Sequence, residues 1–310
     1  MPFISQIATW LPPYSYTQAE LVDKFGLGNN RAAKVIFRRA QVDRRYFSVP
    51  AEVLLGPCRE ERFFPRLDEI IPEVPDVDSV VEVSNLTTAY AISGKRYAHY
   101  GWCPGSVFAL DYAKNDPGRT LIVACNLQSY LRWSPDFTNS SDVVNYSIMG
   151  DAMSVVLVEC GGNVPKGCPE ILGCVYQKEQ SKLVGMVDGK FHLDAKLPAQ
   201  IPLLVEGCLD ALQNQLSVGQ KQISYWIVHP GGIRILNQIE QSLSLPKEAL
   251  HFSKETLREH GNISGSSVFF VLKKVQEEQP KPGSYGVIVT FGPGQETNEL
   301  IAAACILRWK

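Results

Sequence analysis

At 310 residues, 45% of them hydrophobic, the chain can bury a large core and suits two domains or two fused halves better than one small module. Lys and Arg number 30 against 32 Asp and Glu, a formal net charge of −2, which gives no electrostatic case for nucleic acid or an anionic membrane as the main partner. The expected partner is a small molecule or another protein.

The N-terminal MPFISQIATWLPPYSY has no basic leader region and is broken by Pro12 and Pro13. No apolar run approaches the ~20 residues of a membrane span, so the cytoplasm is the expected compartment. The β-branched run VDSVVEVSNLTT (77–88) predicts a largely buried strand, followed by a helix over GSVFALDYAK (105–114). TLIVACN (120–126) and MSVVLVE (153–159) predict two further strands. The Gly, Pro and Lys rich GGNVPKGCPEILG (161–173) is the expected boundary between two halves, residues 1–165 and 166–310. Beyond it, helical patterns at IPLLVEGCLDALQNQL (201–216), GIRILNQIEQSL (232–243) and KEALHFSKETLREHG (247–261) alternate with strand patterns at ISYWIVH (223–229), YGVIVTF (285–291) and IAAACILRW (301–309). QEEQPKPGS (276–284) reads as an exposed loop. Such alternation implies an α/β layered fold.

Eight cysteines are scattered without CxxC pairs, which favours buried reduced thiols over a disulfide framework or a zinc site. Three polar residues stand at junctions between elements. Cys103, in YGWCPGSVFALDYAK, precedes a helix whose dipole and open N–H groups favour thiolate. His229, in WIVHPGGIRIL, ends a strand at a glycine turn, and Asn262, in REHGNISGSSVFFVLKKV, lies between a glycine and an apolar helix. Taken alone, these are a small buried Cys, a turn His and a turn Asn. Taken together, a Cys, a His and an Asn can supply a thiolate, a proton relay and an oxyanion site.

HPGGIRILNQIEQSLSLPKEAL, GNISGSSVFFVLKKV and YGVIVTFGPGQE closely resemble, in order, segments of chalcone-synthase-like type III polyketide synthases of the thiolase superfamily. VDRRYFSVP, YGWCPGSVFALDYAK, TLIVACN and MGDAMSVVLVE extend the resemblance over most of the chain. It implies a thiolase-like αβαβα fold of two pseudo-repeated halves. It also implies Cys103 as the acyl-accepting nucleophile, His229 and Asn262 as its partners, and Phe191 as an aromatic gate of the pocket. Lys34 and Arg39 are the implied basic contacts to the thioester, with Arg38, Arg44 and Arg45 as further basic candidates. Gly292, Pro293 and Gly294 are the implied pocket loop; on their own they read as a strand-ending turn.

The implied activity is decarboxylative Claisen condensation of an acyl thioester on Cys103 with a malonyl-type extender. The expected resting state is a Cys103 thiolate paired with a His229 imidazolium. No cofactor or metal is needed: the substrates are acyl-CoA and malonyl-CoA, or thioesters on an acyl carrier protein. The resemblance also implies a homodimer in which the strand around TLIVACN is the pairing edge. The sequence departs from the family pattern in several places. Only 56 positions separate Phe47 from Cys103, too few for the family's usual helix and dimer-crossing loop. Ala32 and Val35 stand where basic residues are usual, Leu127 where a glutamate is common, and GWCPGS replaces the usual nucleophile turn. These departures open three alternatives: a single-condensation ketosynthase III-like enzyme, an acyltransferase, or a non-catalytic partner subunit of an active homologue.

Overall fold

The structure, a computed structural model, describes residues 1–55, 87–93, 96–130, 135–187, 190–294 and 298–310. In chain order the first half contributes β1 (Pro2–Trp10), β2 (Tyr14–Thr17), α1 (Gln18–Lys24), α2 (Arg31–Arg39), β3 (Arg44–Phe47) and a short α3 (Ala51–Leu54). After these come β4 (Thr87–Ser93), β5 (Arg96–Gly101), α4 (Gly105–Asn115), β6 (Gly118–Asn126), α5 (Ser140–Ile148) and β7 (Ala152–Cys160). The remainder contains β8 (Pro169–Gln180), β9 (Val184–Val187), β10 (Lys190–Leu193), α6 (Leu197–Leu216) and β11 (Ile223–Val228). It closes with α7 (Ile233–Ser242), α8 (His251–His260), α9 (Ser267–Glu277), β12 (Tyr285–Pro293) and β13 (Glu299–Trp309). Of the expected strand at 77–88, only Thr87 and Thr88 lie within the described residues, as the start of β4.

Among the described residues, nine strands form one mixed sheet in the order β11-β12-β13-β8-β1-β7-β6-β4-β5. Its two halves meet where β1 lies beside β8, at the single pair Phe3 and Glu170. Each half has a buried helix followed by an antiparallel strand pair: α4 leads into β6 and β7, and α9 into β12 and β13. β1 then flanks β7, and β8 flanks β13, in the same antiparallel sense. This is the pseudo-repeat of an α/β thiolase-like fold. It breaks at the next strand out, because β11 runs parallel to β12 whereas β4 runs antiparallel to β6.

The two repeated helices are apolar nearly all round because both are buried. Val107 and Leu110 of α4 and Val268, Phe269 and Leu272 of α9 share one cluster with Ile122, Val156, Ile288 and Leu307 from both halves of the sheet. On the opposite face of the C-terminal strands, α6, α7 and α8 bury Ile201, Val205, Leu236, Ile239 and Leu257 against Val228, Val289 and Ala304. Each such side chain contributes ~1.5–3 kcal/mol on burial. The result for function is a fixed frame in which the starts of α4 and α9 touch, Ser106 Oγ donating to the Gly265 carbonyl at 2.7 Å.

One expectation is corrected here. β6 is not a free edge: β4 covers it, with Thr88 opposite Cys125 and Ala91 opposite Ile122, and β5 extends the sheet one strand further. The β4–β5 hairpin pairs the N–H and C=O groups that would otherwise leave β6 open.

Candidate active site

Cys103 sits between the end of β5 and the first turn of α4. Trp102 before it is left-handed, with φ at 57°, and Pro104 after it caps the helix, where a missing N–H leaves no bond unmade. This turn points the Cys103 thiol toward the start of α9, with Sγ 3.3 Å from Ser264 Oγ. Cys103 is only 8% exposed. Burial pushes its thiol up to about 11, an effect that the Ser264 hydroxyl partly offsets.

His229 continues β11 by donating its N–H to the Val289 carbonyl at 2.8 Å. Its ring meets Phe291 edge-on, with centroids 5.1 Å apart. Gly231 is required here, since a Cβ would lie 2.9 Å from the Phe291 ring and 3.4 Å from His229 Nε2. His229 Nδ1 is buried with no hydrogen-bond partner among the described residues. Burial pushes the imidazole down to about 3.

Asn262 follows α8 and Gly261, whose φ of 75° and close approach to the Ile148 carbonyl exclude a Cβ. The Asn262 N–H donates to the Ile148 carbonyl at 2.7 Å, and its carbonyl accepts from Gly150 N–H at 3.1 Å. Its side chain connects the other two groups. Nδ2 donates to the Gly231 carbonyl in the turn after His229 at 3.3 Å, and Oδ1 accepts from the N–H of Ser264, the residue facing Cys103, at 2.9 Å.

Cys103, His229 and Asn262 line one largely apolar cavity of about 450 Å³. Phe191, Arg39, Gly292 and Pro293 line it too, so seven of the twelve residues singled out in the sequence converge there. Lys34 and Gly294 do not. Lys34 lies in a separate groove with Arg31 and Arg38, its Nζ donating to the Gly28 carbonyl at 3.2 Å. Gly294 donates its N–H to the Glu299 carbonyl at 3.0 Å. Arg45 is not a surface contact but a core residue, 1% exposed, bonded to the Tyr146 and Met149 carbonyls and to Gln18 Oε1. Burial lowers its guanidinium to about 9. Arg44 instead donates to Ser15 Oγ at 2.9 Å.

Cys103 and His229 are both buried, and burial pushes each toward its neutral form, which opposes the expected thiolate and imidazolium pair. The sequence reading missed two residues at the site. Ser264 sits in a glycine- and serine-rich turn whose composition marks no particular serine; its signal is positional, two residues after Asn262. Trp102 is visible only as a bulky residue in a turn flanked by Gly101 and Pro104. Among the described residues no group of three His, Cys, Asp or Glu could hold a metal, and no helix is long and apolar enough to cross a membrane.

Residues 179–305 match the model for the C-terminal domain of chalcone and stilbene synthases. The chain is 30% identical to type III polyketide synthase 21 of Oryza sativa subsp. japonica over 210 residues, which is 62% of this chain and 54% of that one. It is 28% identical to type III polyketide synthase C of Arabidopsis thaliana over 209 residues, 63% of this chain and 54% of that one. The matched region thus spans about half the length of these relatives. The fold is similar to the crystal structure of PKS-I from the brown alga Ectocarpus siliculosus, with a TM-score of 0.77 and 20% identity over 100% of this chain and 98% of that one. It is also similar to the C-terminal type III polyketide synthase domain of Steely1 from Dictyostelium, with a TM-score of 0.73 and 18% identity over 99% of both.

Proposed function

We propose, from the match of residues 179–305 to the C-terminal domain of chalcone and stilbene synthases and the similarity to type III polyketide synthases, that the chain is a ketosynthase performing decarboxylative Claisen condensation. The observation that carries this reading is the linked arrangement of Cys103, Ser264, Asn262 and the His229 turn at the wall of one apolar cavity.

In the first step the Cys103 sulfur attacks the carbonyl of an acyl thioester. Because the resting pair is neutral, the thiol proton moves to the His229 imidazole as the carbon–sulfur bond forms. The departing thiolate takes a proton from solvent, leaving an acyl group on Cys103 and the transferred proton on His229. In the second step a malonyl thioester enters beside it. Loss of CO₂ places negative charge on the thioester oxygen, where N–H donors from His229 and the Asn262 amide stabilise an enolate that exists only after the ground state. The enolate carbon attacks the acyl carbonyl, a carbon–carbon bond forms, and Cys103 leaves as a thiolate that takes the proton back from His229. These steps need no metal or redox cofactor.

Arg39 lines the same cavity and is the basic residue we assign to the thioester donor, whether coenzyme A or an acyl carrier protein. We further propose a cytoplasmic homodimer, with residues 1–165 and 166–310 as the two thiolase-like halves of each chain. Intact-mass measurement after incubation with acyl thioesters tests the reading: one acyl group on Cys103, absent from Cys103→Ala, supports it. No adduct across short, long and aromatic donors would instead favour a non-catalytic partner subunit.

A further inference from the structure

Trp102 combines three features that no packing role requires together. It precedes the proposed nucleophile directly, it holds a left-handed φ of 57°, and its ring stacks on Phe191 with centroids 5.2 Å apart and planes 26° apart. A bulky aromatic residue at positive φ is strained, whereas glycine adopts that conformation freely. Such strain persists where surrounding structure enforces it, and it clusters at working sites.

Phe191 gives the stack a rigid support. It lies on β10, which among the described residues pairs only with β9, in a two-stranded ribbon. The ribbon is pinned to α5: Asn145 Nδ2 donates to the Phe191 carbonyl at 2.7 Å, and Leu193 N–H donates to Ser141 Oγ at 2.9 Å. Phe191 is 7% exposed, and the indole packs against the same buried cluster. Both rings face the cavity that contains Cys103. Two stacked rings therefore form part of the wall of the cavity that an acyl group on Cys103 would enter.

We propose that Trp102, backed by Phe191, is the residue that limits the length of the acyl group the cavity accepts, restricting Cys103 to short chains. The inference rests on the acyl-thioester reading of this cavity. It predicts that Trp102→Gly, which removes the indole and relaxes the backbone, moves the limit to longer chains. Trp102→Phe, which keeps a ring against Phe191, leaves the limit near that of the wild type. Phe191→Ala, which removes the support from the other side, moves it in the same direction as Trp102→Gly.

The test uses S-alkyl pantetheines from ethyl to tetradecyl, unreactive thioethers of the arm shared by coenzyme A and carrier proteins, with affinity measured by calorimetry on the full chain. Wild-type affinity should rise with length and then fall at a short chain. In Trp102→Gly the rise should continue, binding tightening about fourfold for each further methylene that enters the cavity. Thermal melting identifies any variant that fails to fold, and Phe191→Ala then carries the test. An unchanged limit in the folded variants, no limit in the wild type, or no binding of any thioether overturns the proposal. Binding with a Trp102-dependent limit, alongside acyl thioesters that leave no mass on Cys103, upholds the wall and overturns only the enzymatic reading.

Discussion

Alkylation of Cys103 by iodoacetamide should accelerate about tenfold per pH unit from pH 7 to 10, because a thiol held at about 11 is still almost wholly protonated across that range. At pH 8 its thiolate fraction is ~10⁻³, against roughly a quarter for an unperturbed thiol near 8.5. The more basic thiolate is about tenfold more nucleophilic, so the net lag behind free cysteine is roughly 20-fold. Ser264→Ala removes the hydroxyl 3.3 Å from Sγ. If that hydrogen bond favours the thiolate by ~1 kcal/mol, its loss raises the thiol by about 0.7 and, after the gain in nucleophilicity, slows alkylation about two- to threefold at any pH below 10. His229→Ala should leave the profile nearly where it was, because a neutral imidazole contributes no charge to the resting thiol. The assay follows the Cys103 peptide by mass spectrometry, so that other thiols do not contribute. A reactivity plateau below pH 8 that disappears in His229→Ala would restore the ion pair and refute the neutral resting state.

Asn262→Ala should slow malonyl decarboxylation ~10²- to 10³-fold while acyl loading of Cys103 falls far less, since its amide acts on the enolate oxygen; equal losses in both steps would argue that it only holds the turn. His260 is partly buried between Tyr46 and Phe270 and is pushed down to about 4 by desolvation. Its folded value lies below its unfolded value of ~6.5, so its stability contribution is present above pH 6.5 and lost as pH falls toward 4, by up to about 3 kcal/mol. Denaturant titrations of His260→Phe should be flatter than wild type over that window, and parallel curves would count against a neutral buried imidazole. Light scattering should give a dimer of this 34.4 kDa chain at micromolar concentration, and a stable monomer would contradict the proposed assembly.

The strands that were legible in the sequence are those buried on both faces. TLIVACN, MSVVLVE and YGVIVTF are continuous apolar runs, and they became β6, β7 and β12. β1 escaped detection because Ser5, Gln6 and Thr9 interrupt its apolar residues, although it lies at the centre of the sheet. β8 escaped because it begins inside a stretch rich in Gly and Pro. Pro169 is tolerated as the first residue of a strand, and Gly173 leaves room for Leu216 of α6. Cys103, His229 and Asn262 could be picked out because each stands at a junction between apolar elements. Their protonation could not: burial of both the thiol and the imidazole decides it, and burial arises from chain segments distant in sequence. The same holds for the Trp102 and Phe191 stack, whose rings are 89 positions apart in the sequence and meet only through the fold.

The central claim is that Cys103 carries an acyl group through carbon–carbon bond formation. Incubation with an acyl thioester and a carboxyl-labelled malonyl thioester measures it most directly, by following labelled CO₂ and the product together. Label release should be coupled to a product extended by two carbons from the acyl donor, with both abolished in Cys103→Ala. Condensation that continues in Cys103→Ala, or wild-type protein that is acylated on Cys103 yet never extends the acyl group, would contradict it.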